Sequence, residues 1–575
     1  MEEIAVLGAV AVLVIVAVAH FAPRLGVAAP VLLVLVGIVA SYVPGAPEVE
    51  VDPHLILAVV LPPILYSAAI TVPASDFRRN FKAISALAVV LVLVSAFVSG
   101  LVVYWLLPGL DLAAAIALGA VVSPPDAVAA TSIGKRLGLP PRLVTVLEGE
   151  GLVNDATALV MLRSAVAATA GAVSFWGVIG DFALAVLVGV VVGAVIGVVS
   201  VRIRSRLDDP VLTTVISLTV PFVAFAPAEK LHASGVLAVV VAGLITGHQS
   251  AQHFSAQDRV TERINWRTIQ VLLENGVFLL MGYEIHVILD DVNDGDGVGV
   301  GRAVLLGLLV TVVLVVLRMG FMLPLVAWLR HGERRAIAAA PYLSATMERL
   351  DGLPDDPDSP RHAARVRFFQ RRLRTRISDA EALAKEGLGL RGGAVLGWSG
   401  MRGVVTVAAA QSLPSDVPYR SELILIAFTV ALVTLVGQGS TLPLLIRRLG
   451  VRGTDAEADQ RELANLVAEL AEVMGARLDS PDLRRAGGGS FSPAVVEQVR
   501  DFNLDIARRL ADTDTRGRST IDERRELRRV LLEAGQLALL DARASGTYAA
   551  RTVERAQAIL DAETIRLEAG STSGH

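Results

Sequence analysis

The 575-residue chain is 53% hydrophobic with a mean hydropathy of +0.59, too apolar for a soluble protein of this length. Its net charge of −4 leaves no basic footprint for nucleic acid, and the absence of cysteine excludes disulfides and thiolate metal sites. Continuous apolar runs recur to about Ile446 without the residue-by-residue alternation of a membrane barrel, which predicts an all-α polytopic membrane protein.

Taken in chain order, the runs predict about thirteen transmembrane helices. They lie near 4–22, 26–43, 54–72, 83–107, 112–133, 143–169, 177–201, 210–226, 233–248, 268–288, 299–329, 393–412 and 421–446. The first run has no basic segment before it and no clear small-residue cleavage site after it, so it reads as a retained span. Lys and Arg fall in every second connection: Arg24; Arg78, Arg79 and Lys82; Lys135, Arg136 and Arg142; Arg202, Arg204 and Arg206; Arg259, Arg263 and Arg267; and the Arg-rich 330–391 segment. The other connections are poor in both. Two are acidic, with Glu48, Glu50 and Asp52 in one and Glu284, Asp290, Asp291, Asp294 and Asp296 in the other. The positive-inside rule then puts the N-terminus outside and the C-terminus in the cytoplasm, which requires an odd number of spans.

Several spans carry polar residues that lipid penalises, so these are expected to face a bundle interior or a water-filled cavity. The fifth span reads 119-GAVVSPPDAVAATSIG-134. Its two prolines remove backbone donors in mid-span and free upstream carbonyls, which is tolerated only where the break is buried in protein or lines a cavity. A simple proline kink is the plain alternative. Asp126 suits the N-terminus of the second half-helix, and oxygens around Ser123 to Pro125 suit a hard cation.

The sixth span holds 147-LEGEGLVNDATALV-160. Glu150 and Asn154, four apart, share a helical face, so the Asn154 amide is expected to donate to the Glu150 carboxylate. Asp155 is rotated from them by about 100° and faces a different space. Arg163 is expected to snorkel to the outer interface, and Glu229 and His232 to lie solvated at the outer surface. In the tenth and eleventh spans, Glu274 and Arg318 are expected to form a structural pair.

The twelfth span opens 396-LGWSGMRGVVTVAAA-410, with glycines around Arg402. If the fold is a pair of inverted repeats, the fifth and twelfth spans correspond as broken crossing helices, a pointer to a transporter site. Arg402 requires an anion, and Glu150 is its expected partner. Asp155 is then an unpaired carboxylate, free to take a proton or a small cation but not readily both. Outside the membrane, the transporter domain (1–449) carries a cytoplasmic insertion at about 331–391. Residues 450–575 form a helical cytoplasmic tail, with helical spacing over 457–478 and 548–567 and a loop at 486–493. The tail is expected to be regulatory, to aid dimerisation, or to be a solvated appendage.

Gly149-Glu150-Gly151-Leu152-Val153-Asn154-Asp155 resembles the Gly-Glu-Ser-two apolar-Asn-Asp motif of sodium/proton exchangers, in the NhaP-like, electroneutral branch of the cation–proton antiporter superfamily. Met401-Arg402-Gly403 is similar to that family's glycine-rich arginine helix, and Leu61–Leu65 and Glu229–Gly247 are similar to further family segments. The likeness spans about residues 5–448. It implies an alternating-access antiporter, usually a homodimer, with Asp155 as the ion- and proton-binding carboxylate. It also implies Glu150 held by Asn154 and paired with Arg402, and ligands from the broken fifth span. Two positions depart from the family pattern. Gly151 stands where a serine is common, and Pro125 where threonine, alanine or valine is usual; a water and the Pro125 carbonyl can stand in for the missing groups.

The expected function is secondary active exchange of protons for monovalent cations, Na⁺ first, across the plasma membrane. It is expected to be one for one and to serve pH and sodium homeostasis. No cofactor is expected; Na⁺, or Li⁺ or K⁺, and H⁺ are the cargo. The rivals are a K⁺/H⁺ antiporter, a cation channel or uniporter, and a membrane enzyme or sensor acting through its soluble parts. Those parts show no nucleophile constellation, no Gly-rich phosphate loop and no His cluster.

Overall fold

The computed structural model describes residues 2–25, 28–44, 52–169, 175–207, 209–294, 297–351, 388–451, 453, 456–480, 483–484 and 490–500, with scattered positions between 366 and 380 and from 530 onward. All regular structure among them is helical. Each expected span falls on a helix or a helix pair. The first four are α1 (Glu2–Leu25), α2 (Ala29–Ser41), α3 (Pro53–Thr71) and α4 (Ala74–Leu106). The fifth is split into α5 (Leu112–Val122) and α6 (Ala127–Arg136). Then come α7 (Pro141–Thr169), α8 (Phe175–Arg204), α9 (Pro210–Lys230) and α10 (Gly235–His253). The tenth span divides into α11 (Ala256–Tyr283) and α12 (Ile285–Asp294), and the eleventh is α13 (Val300–Asp351). The twelfth is split into α14 (Leu390–Trp398) and α15 (Val404–Gln411), and the last is α16 (Arg420–Leu449). By length and hydropathy alone, eight of the described helical stretches suffice to cross a membrane.

Helix starts follow local chemistry. Asp111, Asp126 and Asp209 each accept a backbone N–H two residues on, and Ser255 and Asp258 form a reciprocal capping box. Side chains in α8 and α10 are small where the helices cross: Gly189, Gly193 and Gly197, four apart, meet Ser234, Ala238 and Ala242. In lipid such contacts associate helices by backbone approach, since burial of apolar surface gives no drive there.

The apolar core divides into two clusters. One gathers α2, α4–α7 and α11–α16; the other gathers α3, α9 and α10 with Trp266. Helix α7 contributes to both, with Val146, Leu147 and Met161 in the first and Leu152 and Ala156 in the second. Asp155 therefore lies on the helix between two packed bodies.

The helix of the eleventh span extends well past its apolar run. Residues 331–351, read from sequence as the start of the cytoplasmic insertion, continue α13 without interruption. Their side chains explain this in part: Glu333 pairs with the buried Arg142 at 2.7 Å, and Arg142 also donates to Asn80 Oδ1 at 3.0 Å. The helix is thus pinned beyond the apolar run to the start of α7. Most of 352–387 lies outside the described residues. The chain divides into compact units at Gly453/Thr454. The second unit contains α17 (Ala456–Leu478), on the stretch with helical spacing; the expected helix over 548–567 lies outside the described residues, Glu563 apart.

Candidate ion-binding site

The two interrupted spans meet at their breaks. Ser123–Asp126 separates α5 from α6, and Ser399–Gly403 separates α14 from α15. The Asp126 N–H donates to the Met401 carbonyl at 2.5 Å, tying one break to the other. Pro124 and Pro125 end α5, and the Asp126 N–H that would serve the Val122 carbonyl in a continuous helix goes to Met401 instead, so carbonyls at the end of α5 need other donors. Arg402 supplies them. Its Nε donates to Val122 O at 3.0 Å, its Nη2 to Ser123 O at 3.4 Å and its Nη1 to Gly400 O. A cation is also favoured at this point by the negative end of the α5 dipole. The Asp126 carboxylate turns the other way and caps α6 through Val128 N–H at 2.8 Å. Gly403 is required beside it, because a Cβ there would collide with that carboxylate.

The ion pairing differs from the sequence expectation. Glu150 does not pair with Arg402. It accepts two hydrogen bonds from Arg318, at 2.5 and 2.8 Å, and both side chains are almost fully buried. Arg318 also donates from Nε to Leu396 O at 3.2 Å. The physical reason is donor accounting. The guanidinium of Arg402 is engaged by carbonyls that the break leaves orphaned, so the buried Glu150 takes the fork of Arg318. The expected Glu274–Arg318 pair is therefore absent. Glu274 instead accepts from Gln270 Nε2 at 2.6 Å, one turn back on α11. Asn154 does not hold Glu150 either: its amide donates to Pro125 O at 2.7 Å, so α7 braces the break in the fifth span directly. Asn154 Oδ1 is buried and has no partner among the described residues. Arg163, expected to snorkel to the outer interface, pairs with Glu229, which also accepts the Gly235 N–H at 3.0 Å.

Asp155 is half-buried, and no hydrogen bond or ion pair to its carboxylate is found among the described residues. It lies on the wall of a cavity of about 1010 Å³, together with Asp126, Thr131, Glu274 and Thr406. The exposed members of that wall include Lys135, Arg263 and Arg267, which belong to the Lys/Arg-rich connections. Behind Asp155 is a void of about 10 Å³ lined by Val121, Leu159, Leu162, Val405 and Ala409. Space for water thus reaches the carboxylate from one side, and apolar packing closes the other.

Of the candidate ligands read from sequence, Asp155, Asp126 and Pro125 reach this cavity. Ser123 does not: it is buried, its hydroxyl donates to Ala120 O at 3.0 Å and its carbonyl serves Arg402. Thr131 and Thr406 line the cavity and were not singled out from sequence, where hydroxyls in apolar helices carry no signal of the direction they face. The arrangement offers a hard cation carboxylate, hydroxyl and water oxygens, and offers a proton the same carboxylate.

Comparison with known proteins agrees with this architecture. The family model described as sodium/hydrogen exchanger, transmembrane, matches residues 9–349 and 362–448, which contain every site residue above. An uncharacterized Na⁺/H⁺ exchanger of Mycobacterium tuberculosis is 28% identical, over 95% of this chain and 92% of that protein. The sodium, potassium, lithium and rubidium/H⁺ antiporter of Bacillus subtilis is 27% identical, over 72% of this chain and 57% of that protein. In fold, the chain is similar to the solved sodium proton antiporter MjNhaP1 of Methanocaldococcus jannaschii. The TM-score is 0.54 at 16% identity, covering 78% of this chain and 99% of that one. The protein is a multi-pass membrane transporter, a cation/proton antiporter and not an enzyme, and it belongs to the sodium/hydrogen exchanger family.

Proposed function

We propose that Asp155 is the carboxylate at which a monovalent cation and a proton replace one another, with Na⁺ among the cations carried and one proton moved per cation. The observation that carries this reading is the unpaired Asp155 at the head of an open cavity, while its buried neighbour Glu150 is neutralised by Arg318. Its sequence neighbour Asn154 is an amide committed to Pro125 O and carries no titratable proton, which favours a single exchangeable site. Asp126, held as a helix cap, and Thr131 are the nearest candidates to complete an ion's shell on the α6 side. Ser123 acts through Arg402 and the break, as a supporting residue.

In this reading the N-terminus is outside, the C-terminus is cytoplasmic and the membrane is the plasma membrane. The Lys/Arg-rich connections at the mouth support a cavity open to the cytoplasmic side. The apolar closure behind Asp155 is the outer barrier of this inward-open state, and rocking of the two packed bodies against each other alternates access. The protein works as a homodimer in pH and sodium homeostasis. Potassium is the alternative cargo; the Bacillus subtilis relative, named for sodium, potassium, lithium and rubidium, favours keeping it in view.

The test is a proteoliposome assay of internal pH after an imposed alkali-cation gradient, with Asp155→Asn as the comparison. The wild type is expected to move protons against the cation gradient at a rate insensitive to an imposed membrane potential. Asp155→Asn is expected to insert and fold but not to exchange. Exchange retained by that variant would remove the assignment, and cation flux without proton movement would favour a channel.

A further inference from the structure

On α7, Asp155, Gly151 and Glu148 lie at i, i−4 and i−7, on one face lining the cavity. The three offer a cation different things. Asp155 offers an unpaired carboxylate. Glu148, nearer the mouth, is paired with Lys135 at 2.6 Å. Gly151, between them, offers no side chain, and the space beside it is not open. A Cβ at 151 would overlap the methyl group of Ala127, the first residue of α6. Ala127 is itself fixed by its neighbour, since Asp126 both caps α6 and is bonded through its N–H to Met401 O. At the turn where α7 would present a second oxygen to an ion on Asp155, two small residues are pressed together instead.

A site selects among alkali cations by replacing their water with oxygens of fixed position and number. Each water retained in the shell adjusts to the radius of the ion and blunts that selection. We propose that the Gly151–Ala127 contact sets the cation selectivity of this exchanger: it leaves cavity water on the mouthward side of the bound ion, so that Na⁺ and K⁺ are accepted with little preference. The inference rests on Asp155 being the exchange site.

The test is proton movement in proteoliposomes with Na⁺, K⁺, Rb⁺ or Li⁺ supplied singly over a concentration series. For the wild type, the half-saturating Na⁺ and K⁺ concentrations are expected to agree within about threefold. Two double variants isolate the missing oxygen. In both, Ala127→Gly removes the methyl in the way; Gly151→Ser then adds a hydroxyl, and Gly151→Ala adds only a methyl. A127G/G151S is expected to shift the K⁺/Na⁺ ratio toward Na⁺ by about fivefold or more, while A127G/G151A leaves the ratio near the wild-type value. A wild type that separates Na⁺ from K⁺ by more than about tenfold would overturn the proposal while leaving exchange at Asp155 intact. Equal ratios in the serine and alanine variants would overturn it in the same way. Failure of every alkali cation to move protons through the wild type would overturn the exchange reading, and this inference with it.

Discussion

Replacing Arg318 by methionine tests the pairing that departs most from the sequence expectation. The carboxylate of Glu150 accepts from both Nη atoms of Arg318, at 2.5 and 2.8 Å, with each side chain 2% exposed. Arg318→Met keeps the apolar stem but strands a buried carboxylate, a loss of about 3–5 kcal/mol. Glu150→Gln/Arg318→Met removes both charges, so part of the loss is recovered. The bond from Arg318 Nε to Leu396 O is absent from both variants that lack Arg318, and it cancels in a double-mutant cycle. A coupling of about 2 kcal/mol or more is therefore expected between Glu150 and Arg318. Between Glu150 and Arg402, whose guanidinium bonds to carbonyls of Val122, Ser123 and Gly400, about 1 kcal/mol or less is expected. The assay is reversible unfolding of the purified protein in detergent, with Arg302→Ala, exposed on the same helix, as a control. Additivity of the Glu150 and Arg318 substitutions, or stronger coupling to Arg402, would refute the reasoning.

Two further substitutions probe the break in the fifth span. Asn154→Ala leaves the Pro125 carbonyl without its 2.7 Å donor and is expected to cost about 1–3 kcal/mol, read by unfolding, with a slower exchange rate in vesicles. Arg402→Met orphans the carbonyls that Arg402 serves and is expected to abolish exchange; Arg402→Lys restores the charge without the planar fork and is expected to rescue little activity in the same vesicle assay.

Much of this architecture is legible in the sequence, because lipid imposes one rule that composition obeys: an apolar run of sufficient length is a helix. The breaks are legible for a similar reason. Pro124 and Pro125 have no N–H, and Gly400 and Gly403 flank a charge that a continuous lipid-facing helix would reject. What sequence does not carry is distance. Arg402 and Arg318 both lie in apolar runs, and nothing in their spacing says which faces Glu150. A buried carbonyl must be bonded somewhere, and the break in the fifth span leaves the carbonyls of Val122 and Ser123 to Arg402. The partner of Glu274 was closer than expected: Gln270 is one turn away on the same helix. The length of α13 was not legible for another reason. Hydropathy falls at the membrane surface, but the helix continues to Asp351, held in part by Arg142 and Glu333, two polar residues that a hydropathy profile scores as loop.

Exchange at this site requires one side chain to hold a cation or a proton, never both. Purified protein in weakly buffered solution, titrated with Na⁺ while bulk pH is recorded, examines this directly. The wild type is expected to release up to about one proton per Na⁺ bound, and Asp155→Asn to release none. Saturable Na⁺ binding by the wild type without proton release across the working pH range, or release undiminished in Asp155→Asn, would contradict the account.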